Sequence, residues 1–148
     1  MEYTPLNILL ADDDPDDRFL FKTAIEESKV KVELNLVNDG VQLMDYLNSE
    51  GNTIPHVIFL DLNMPRKSGM QCLEEIRNTP RLRDISIAIY STSSSEHDIE
   101  ETFVKGANIY IRKPSSFGKL KEVITQVISI NWQYHTSGLN KENFLLSL

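Results

Sequence analysis

The sequence predicts an α/β protein whose doubly wound, parallel β-sheet has five strands and is flanked by five helices. Short apolar runs that are typical of buried strands alternate along the chain with segments whose apolar residues recur at helical spacing. Neither an internal repeat nor a low-complexity linker interrupts this alternation. Helical crossovers join parallel strands in a right-handed sense, and 148 residues are enough for one domain with its own core.

Five segments carry the strand pattern. The apolar runs at residues 7–11 and 57–60 are typical of strands that are buried on both faces. Residues 32–38 alternate apolar and polar side chains, as a half-buried or edge strand does. Two further strands are predicted at residues 85–90 and 108–112. An amphipathic segment follows each of the five strands, so the pattern predicts five helices.

The first helix has a clear start signal. Asp14 is the predicted N-cap and Pro15 takes the first helical position. Asp16 and Asp17 then fall in the first turn, where acidic side chains interact favourably with the helix dipole. We therefore interpret Asp14, Asp16 and Asp17 as helix-capping residues without a further role.

Composition and charge exclude several classes of function. The net charge of -7 would repel a phosphate backbone, so we expect no binding to nucleic acid. The apolar runs are too short to cross a bilayer, which predicts no membrane partner and a cytoplasmic location. Cys72 is the single cysteine and is interpreted as a small buried hydrophobe on a helix.

The residues directly after the strands form the candidate site. Functional groups of a doubly wound sheet gather beyond the carboxyl ends of its strands. Asp12 and Asp13 follow the first strand, Asp61 the third, Ser91 the fourth and Lys113 the fifth.

These side chains suit phosphoryl chemistry. Three carboxylates in one crevice repel one another unless one is protonated or a cation neutralises them. Oxygen ligands without clustered His or Cys favour Mg²⁺ over zinc. Lys113 would supply a positive charge and Ser91 a hydroxyl donor, and both suit the oxygens of a phosphorylated Asp61.

Four motifs resemble those of the receiver domains of two-component response regulators. They are Ile-Leu-Leu-Ala-Asp-Asp at 8–13, Phe-Leu-Asp-Leu-Asn-Met-Pro at 59–65, Ser91-Thr92 and Lys113-Pro114. The resemblance covers about residues 6 to 130 and implies a flavodoxin-like strand order, 2-1-3-4-5. Asp39-Gly40, residues 64–69 and the Ser/Thr run after the fourth strand are most similar to stand-alone receivers of the phytochrome type.

The resemblance implies a phosphoryl-accepting signalling switch that needs Mg²⁺. Asp61 would be the phosphoacceptor. Asp13 and Asp61 would bind Mg²⁺ through their side chains and Asn63 through its backbone carbonyl, while Asp12 would act through a metal-bound water. The phosphoryl group would come from a sensor histidine kinase or a phosphotransfer protein.

The resemblance also implies how the switch reports its state. Lys113 would pair with the phosphoryl oxygens, Ser91 would move towards them, and Tyr110 would change rotamer with Ser91. The surface that responds would be formed by helix 4, strand 5 and helix 5, and a homodimer through this face stays open. Ser91 stands where Thr is commoner in the family, so its χ1 angle is less restricted.

Two other interpretations stay open at this point. A pseudo-receiver would bind partners without being phosphorylated, although the intact set of strand-end residues argues against it. An aspartyl-nucleophile phosphatase of the haloacid dehalogenase type would need a general acid two residues after the nucleophile, where this chain has Asn63. We assign residues 1–131 to the domain and residues 132–148 to a tail without a separate output domain. The tail either packs back on the domain, which we favour slightly, or extends a contact with a partner or a second copy.

Overall fold

One parallel sheet forms the centre of the molecule. The computed structural model describes residues 5–134 and 145–146. The sheet has the strand order β2-β1-β3-β4-β5-β6. Its strands are β1 (Leu6–Ala11), β2 (Val32–Val37), β3 (Val57–Leu60), β4 (Ser86–Ser91), β5 (Ile109–Arg112) and β6 (Leu145–Leu146). The predicted five-stranded order is therefore confirmed, and a two-residue sixth strand is added to it.

Five helices connect the strands, as predicted. They are α1 (Pro15–Glu27), α2 (Gly40–Asn48), α3 (Gly69–Arg77), α4 (Glu96–Val104) and α5 (Phe117–Tyr134). The Asp14 carboxylate caps α1 by accepting from the backbone N–H of Asp16 at 2.8 Å. None of the described helices combines the length and the hydropathy needed to span a membrane.

The helices cover both faces of the sheet. Helices α1 and α5 pack on one face, where Phe21, Phe59 and Tyr90 form an edge-to-face aromatic cluster. Helices α2, α3 and α4 pack on the other face, around the buried Leu43 and Leu73. Because both faces are covered, the central strands are apolar at almost every position, which explains their uninterrupted apolar runs.

The C-terminal tail returns to the sheet. Leu145 pairs with Tyr110 and Leu146 with Ile111, so β6 lies parallel to β5 on its outer edge. Helix α5 runs on to Tyr134, three residues past the predicted domain boundary at residue 131. The division of the chain into residues 1–131 and a tail stays a prediction, and residues 135–144 lie outside the described part of the chain.

The loop between β3 and α3 is held by unusually close backbone contacts. The Gly69 N–H donates to the Leu62 carbonyl at 2.9 Å. A Cβ atom on Gly69 would lie 2.1 Å from the Asp61 carbonyl oxygen, far inside van der Waals contact. On its other side, the loop contacts the start of α2, where Arg66 donates to the Asp39 carboxylate at 3.3 Å. Gly69 thus allows the loop to turn back directly onto Asp61.

We expect Gly69→Ala to lower the free energy of unfolding by about 1–3 kcal/mol, because the added methyl group must displace the backbone at residues 61–62. Gly118→Ala is the matched control, since no atom lies within 4 Å of a Cβ at that helical position. The control should be neutral or stabilising by up to about 1 kcal/mol. Urea unfolding measures both variants, and equal stabilities would contradict the close contact at Gly69.

Candidate functional site

Parallel pairing brings the ends of four strands together at one edge of the sheet. Ala11 of β1 pairs with Leu60 of β3, so the residues that follow them, Asp12 and Asp61, are neighbours. Ser91 ends β4 and pairs with Arg112 of β5, which places Lys113 beside it. The Lys113 N–H donates to the Ser91 carbonyl at 2.8 Å.

Asp12, Asp13 and Asp61 form a carboxylate cluster at this edge. Each offers one carboxylate oxygen, and the three oxygens lie within 4.8 Å of one another. Asp12 and Asp61 are buried, whereas Asp13 is exposed. The cluster therefore has a buried floor and one side that is open to solvent.

Backbone N–H groups orient the two buried carboxylates. Asp12 Oδ1 accepts from the Asp14 N–H at 3.0 Å, and Asp61 Oδ1 accepts from the Asn63 N–H at 3.2 Å. Both bonds reach two residues along the chain, which is the geometry of a local Asx turn. Each carboxylate consequently directs its other oxygen, Oδ2, towards Lys113.

The Lys113 ammonium group is surrounded by carboxylates. Its Nζ atom lies 3.1 Å from Asp61 Oδ2, 2.9 Å from Asp12 Oδ2 and 2.8 Å from Asp17 Oδ2. The side chain is only 10% exposed, and Nζ lies 5.3 Å from the centre of the Tyr90 ring. The sequence analysis assigned Lys113 to the oxygens of a phosphorylated Asp61, and that role stays a prediction.

Asp17 is the residue that the sequence analysis did not assign to the site. Its position in the first turn of α1 was fully accounted for by the helix dipole, and that interpretation is incomplete because its carboxylate contacts Lys113. No pattern in the sequence places Asp17 at Lys113, because α1 begins only at Pro15 and the contact depends on how that helix packs against the sheet.

Burial and charge shift the pKa values of Asp12 and Lys113 in a coupled way. Desolvation raises the pKa of Asp12 to about 6, although the Asp14 N–H and Lys113 both oppose that shift. Burial alone would lower the pKa of Lys113, but its hydrogen bond to Asp17 and the negative charges of Asp12 and Asp61 together outweigh burial and raise that pKa. Lys113 is therefore charged at neutral pH, and it does not by itself neutralise the cluster.

The cluster fits a hard divalent cation. Asp12 Oδ2 is buried and accepts no hydrogen bond within the described residues, although it lies close to Lys113 Nζ. An oxygen in that state retains lone pairs that a cation would use. Asp12, Asp13 and Asp61 supply oxygen ligands only, which suit Mg²⁺ or Mn²⁺ better than zinc.

Ser91 and Tyr110 lie on the neighbouring strands β4 and β5. Both side chains are fully buried. Ser91 Oγ accepts from the Ser93 N–H at 3.1 Å, and the Tyr110 hydroxyl donates to the Ser93 carbonyl at 2.9 Å. Tyr110 therefore points into the protein and is connected to Ser91 through the backbone of Ser93.

Known response regulators resemble this chain in sequence. The family model for the response regulator receiver domain matches residues 8–125. Response regulator Rcp1 of Synechocystis sp. is 30% identical over 129 residues, which cover 84% of this chain and 88% of Rcp1. The probable methanogenesis regulatory protein FilR2 of Methanothrix harundinacea is 30% identical over 126 residues, which cover 83% of this chain and 81% of FilR2.

Solved structures share the fold over nearly the whole chain. The phosphorylated cyanobacterial phytochrome response regulator RcpA matches with a TM-score of 0.80 at 29% identity, over 92% of this chain and 98% of RcpA. The Mn²⁺-bound form of Rcp1 matches with a TM-score of 0.77 at 31% identity, over 92% of this chain and 99% of Rcp1. The chain therefore belongs to the response regulator receiver domains of two-component signalling, as its sequence motifs predicted.

Proposed function

We propose that this receiver is a phosphoryl-accepting switch that is phosphorylated on Asp61 in a Mg²⁺-dependent reaction. The observation that carries the proposal is the position of Lys113 Nζ, 3.1 Å from Asp61 Oδ2, beside a carboxylate cluster suited to a metal ion. The phosphorylated state of RcpA supports the proposal by similarity.

The transfer is a displacement at phosphorus. A carboxylate oxygen of Asp61 forms the new oxygen–phosphorus bond while the donor's bond to phosphorus breaks, and the donor leaves with that electron pair. Lys113 would pair with the oxygens of the arriving phosphoryl group. In this scheme the receiver catalyses only its own phosphorylation and, with water as the attacking group, its own dephosphorylation.

Asp13, Asp61 and the backbone carbonyl of Asn63 would hold the metal ion, and Asp12 would act through a metal-bound water. When bound, Mg²⁺ would neutralise the cluster and the negative charge of the transferring group. The Mn²⁺-bound form of Rcp1 supports the binding of a divalent metal by similarity. The proposal names Mg²⁺ because oxygen ligands that are partly waters are typical of its sites.

The donor in this proposal is a sensor histidine kinase or a phosphotransfer protein of the cytoplasm. Ser91 would turn towards the phosphoryl group, and Tyr110 would respond through Ser93, to which both are hydrogen-bonded. The responding face comprises α4, β5 and α5, and β6 lies paired on its edge. That face would bind a downstream partner or a second copy of the chain, and the oligomeric state after phosphorylation separates the two.

Intact mass tests the phosphoacceptor directly. After incubation with Mg²⁺ and a small acyl phosphate, we expect the wild type to gain one phosphoryl group that is labile to base. Asp61→Asn keeps the size of the side chain but removes the nucleophilic oxygen anion, so it should gain none. Asp16→Asn, an exposed acid of the same edge without a contact to Lys113, is the matched control and should gain as much as the wild type.

If the wild type gains no phosphoryl group from the small acyl phosphate, the experiment is repeated with a second donor, a phosphorylated phosphotransfer domain. No gain from either donor would overturn phosphorylation and favour the pseudo-receiver interpretation. A gain that persists in Asp61→Asn would move the acceptor to another residue. Steady release of phosphate from small phosphoesters would instead favour the phosphatase.

Millimolar Mg²⁺ should raise the melting temperature, because the unfolded chain lacks the cluster that binds it. A concentration one hundred times the dissociation constant would stabilise the fold by about 2.7 kcal/mol. Asp13→Asn removes the exposed ligand and should abolish the shift, whereas Asp16→Asn should keep it. Thermal unfolding across a Mg²⁺ titration measures this, and a wild-type response in Asp13→Asn would exclude Asp13 as a ligand.

Asp12 should make the metal-free fold less stable as the pH rises. Its pKa is about 6 in the fold against an ordinary value of 3.8, so the folded state binds more protons between these values. The stability contributed by protonated Asp12 is complete below pH 3.8 and is lost as the pH rises through about 6.

Asp12→Asn removes this titration. Urea unfolding in EDTA at pH 4.5, 6 and 7.5 should show that the variant gains stability relative to the wild type as the pH rises, by on the order of 2 kcal/mol. Added Mg²⁺ should close the gap at pH 7.5, because it stabilises the ionised carboxylates of the wild type. A constant difference across these pH values would contradict the raised pKa.

A further inference from the structure

We propose that Asp17 is a positioning residue that holds the Lys113 ammonium group in place during phosphoryl transfer. The inference rests on the proposed phosphorylation of Asp61. It concerns a residue of α1 that lies outside the carboxylate cluster and that helix capping alone would explain.

Asp17 makes the shortest of the three ion pairs of Lys113. The Asp17 Oδ2 to Nζ distance is 2.8 Å, and the two atoms also meet the geometry of a hydrogen bond. The Lys113 side chain is 10% exposed and that of Asp17 is 30% exposed, so the pair is partly screened from water. Desolvation of this kind makes a charged hydrogen bond stronger than an exposed ion pair.

The other two partners of Lys113 change during the proposed reaction. Asp61 becomes an acyl phosphate, a mixed anhydride, so its carboxylate loses its own negative charge, and Asp12 belongs to the cluster of oxygens that suits a metal ion. Asp17 is not among those three carboxylates, so it keeps its charge and its contact throughout. It is thus the one ion-pair partner of Lys113 within the described residues that is the same before and after transfer.

A lysine needs such an anchor because its side chain has four rotatable bonds and its ammonium group is a strongly hydrated point charge. The anchor itself is fixed, since Asp17 lies in the first helical turn after Pro15 and the Asp14 cap. Its backbone N–H lies 3.4 Å from the Asp14 carboxylate. The start of α1 therefore sets the position of the Asp17 carboxylate and, through it, that of Nζ.

The test is the initial rate of phosphorylation by a small acyl phosphate across a Mg²⁺ titration, followed by intact mass. Asp17→Asn should lower the maximal rate about tenfold, because a misplaced charged group loses much of its effect on the transferring phosphoryl group. The Mg²⁺ concentration at half-maximal rate should stay within about twofold of the wild type, since Asp17 is not a metal ligand. Asp17→Glu, which restores a carboxylate on a longer arm, should recover part of the rate.

Asp16→Asn is the matched control, because it removes one negative charge from the same helical turn without touching Lys113. An equal loss of rate in this control would mean that the effect comes from net charge alone, and it would overturn the proposal. A loss in Asp17→Asn that saturating Mg²⁺ cancels, or that Asp17→Glu shares in full, would overturn it as well. Urea midpoints close to the wild type in all three variants confirm that the rates compare folded proteins.

The design separates this inference from the proposed function. A wild type that gains a phosphoryl group together with an unaffected Asp17→Asn overturns the role of Asp17 and leaves Asp61 as the acceptor. A wild type that gains none from either donor overturns both.

Discussion

The ion pairs between Lys113 and the strand-end carboxylates are the interaction on which the candidate site depends. Asp12, Asp17 and Asp61 reach the ammonium group from β1, α1 and β3, while Lys113 follows β5. One cation does not balance this many acids, and burial, with a small addition from the charge of Asp61, keeps the pKa of Asp12 high. The site is therefore short of positive charge, and both a divalent metal and a strongly charged lysine lower its energy. The proposed binding of a divalent metal ion would relieve that imbalance.

The backbone around this cluster is closely packed. The Asp61 carbonyl is packed against Gly69, and the loop after Asp61 contacts the start of α2 through the Arg66–Asp39 ion pair. Apolar layers on both faces of the sheet hold the strand ends in register. The unfavourable charge repulsion is thus confined to one edge of the sheet, and the apolar core offsets its destabilising effect.

Most of the sheet and the ends of its strands could be predicted from the sequence. Buried parallel strands are apolar and stop abruptly at a polar residue, so Asp12 and Asp61 were located to the residue, whereas β5 includes the polar Arg112 before Lys113. The strand β6 could not be predicted, because two residues carry no periodicity. Asp17 escaped for a different reason. Its place in the first helical turn was explained by the helix dipole alone. Its contact with Lys113 depends on the rotation of α1 against β5, which the sequence pattern does not give.

A continuous set of hydrogen bonds connects the site to the far edge of the sheet. The backbone of Lys113 bonds to Ser91, Ser91 Oγ accepts from Ser93, and the Ser93 carbonyl accepts from Tyr110. Tyr110 in turn pairs with Leu145 of β6. Reorientation of Ser91 towards a phosphoryl group would alter its bond to Ser93, and with it the support of the Tyr110 hydroxyl. The backbone of Tyr110 pairs with β6, so Tyr110 would take part both in the response to phosphorylation and in the docking of the tail strand. If phosphorylation or docking favoured one rotamer of Tyr110, the two events would be coupled.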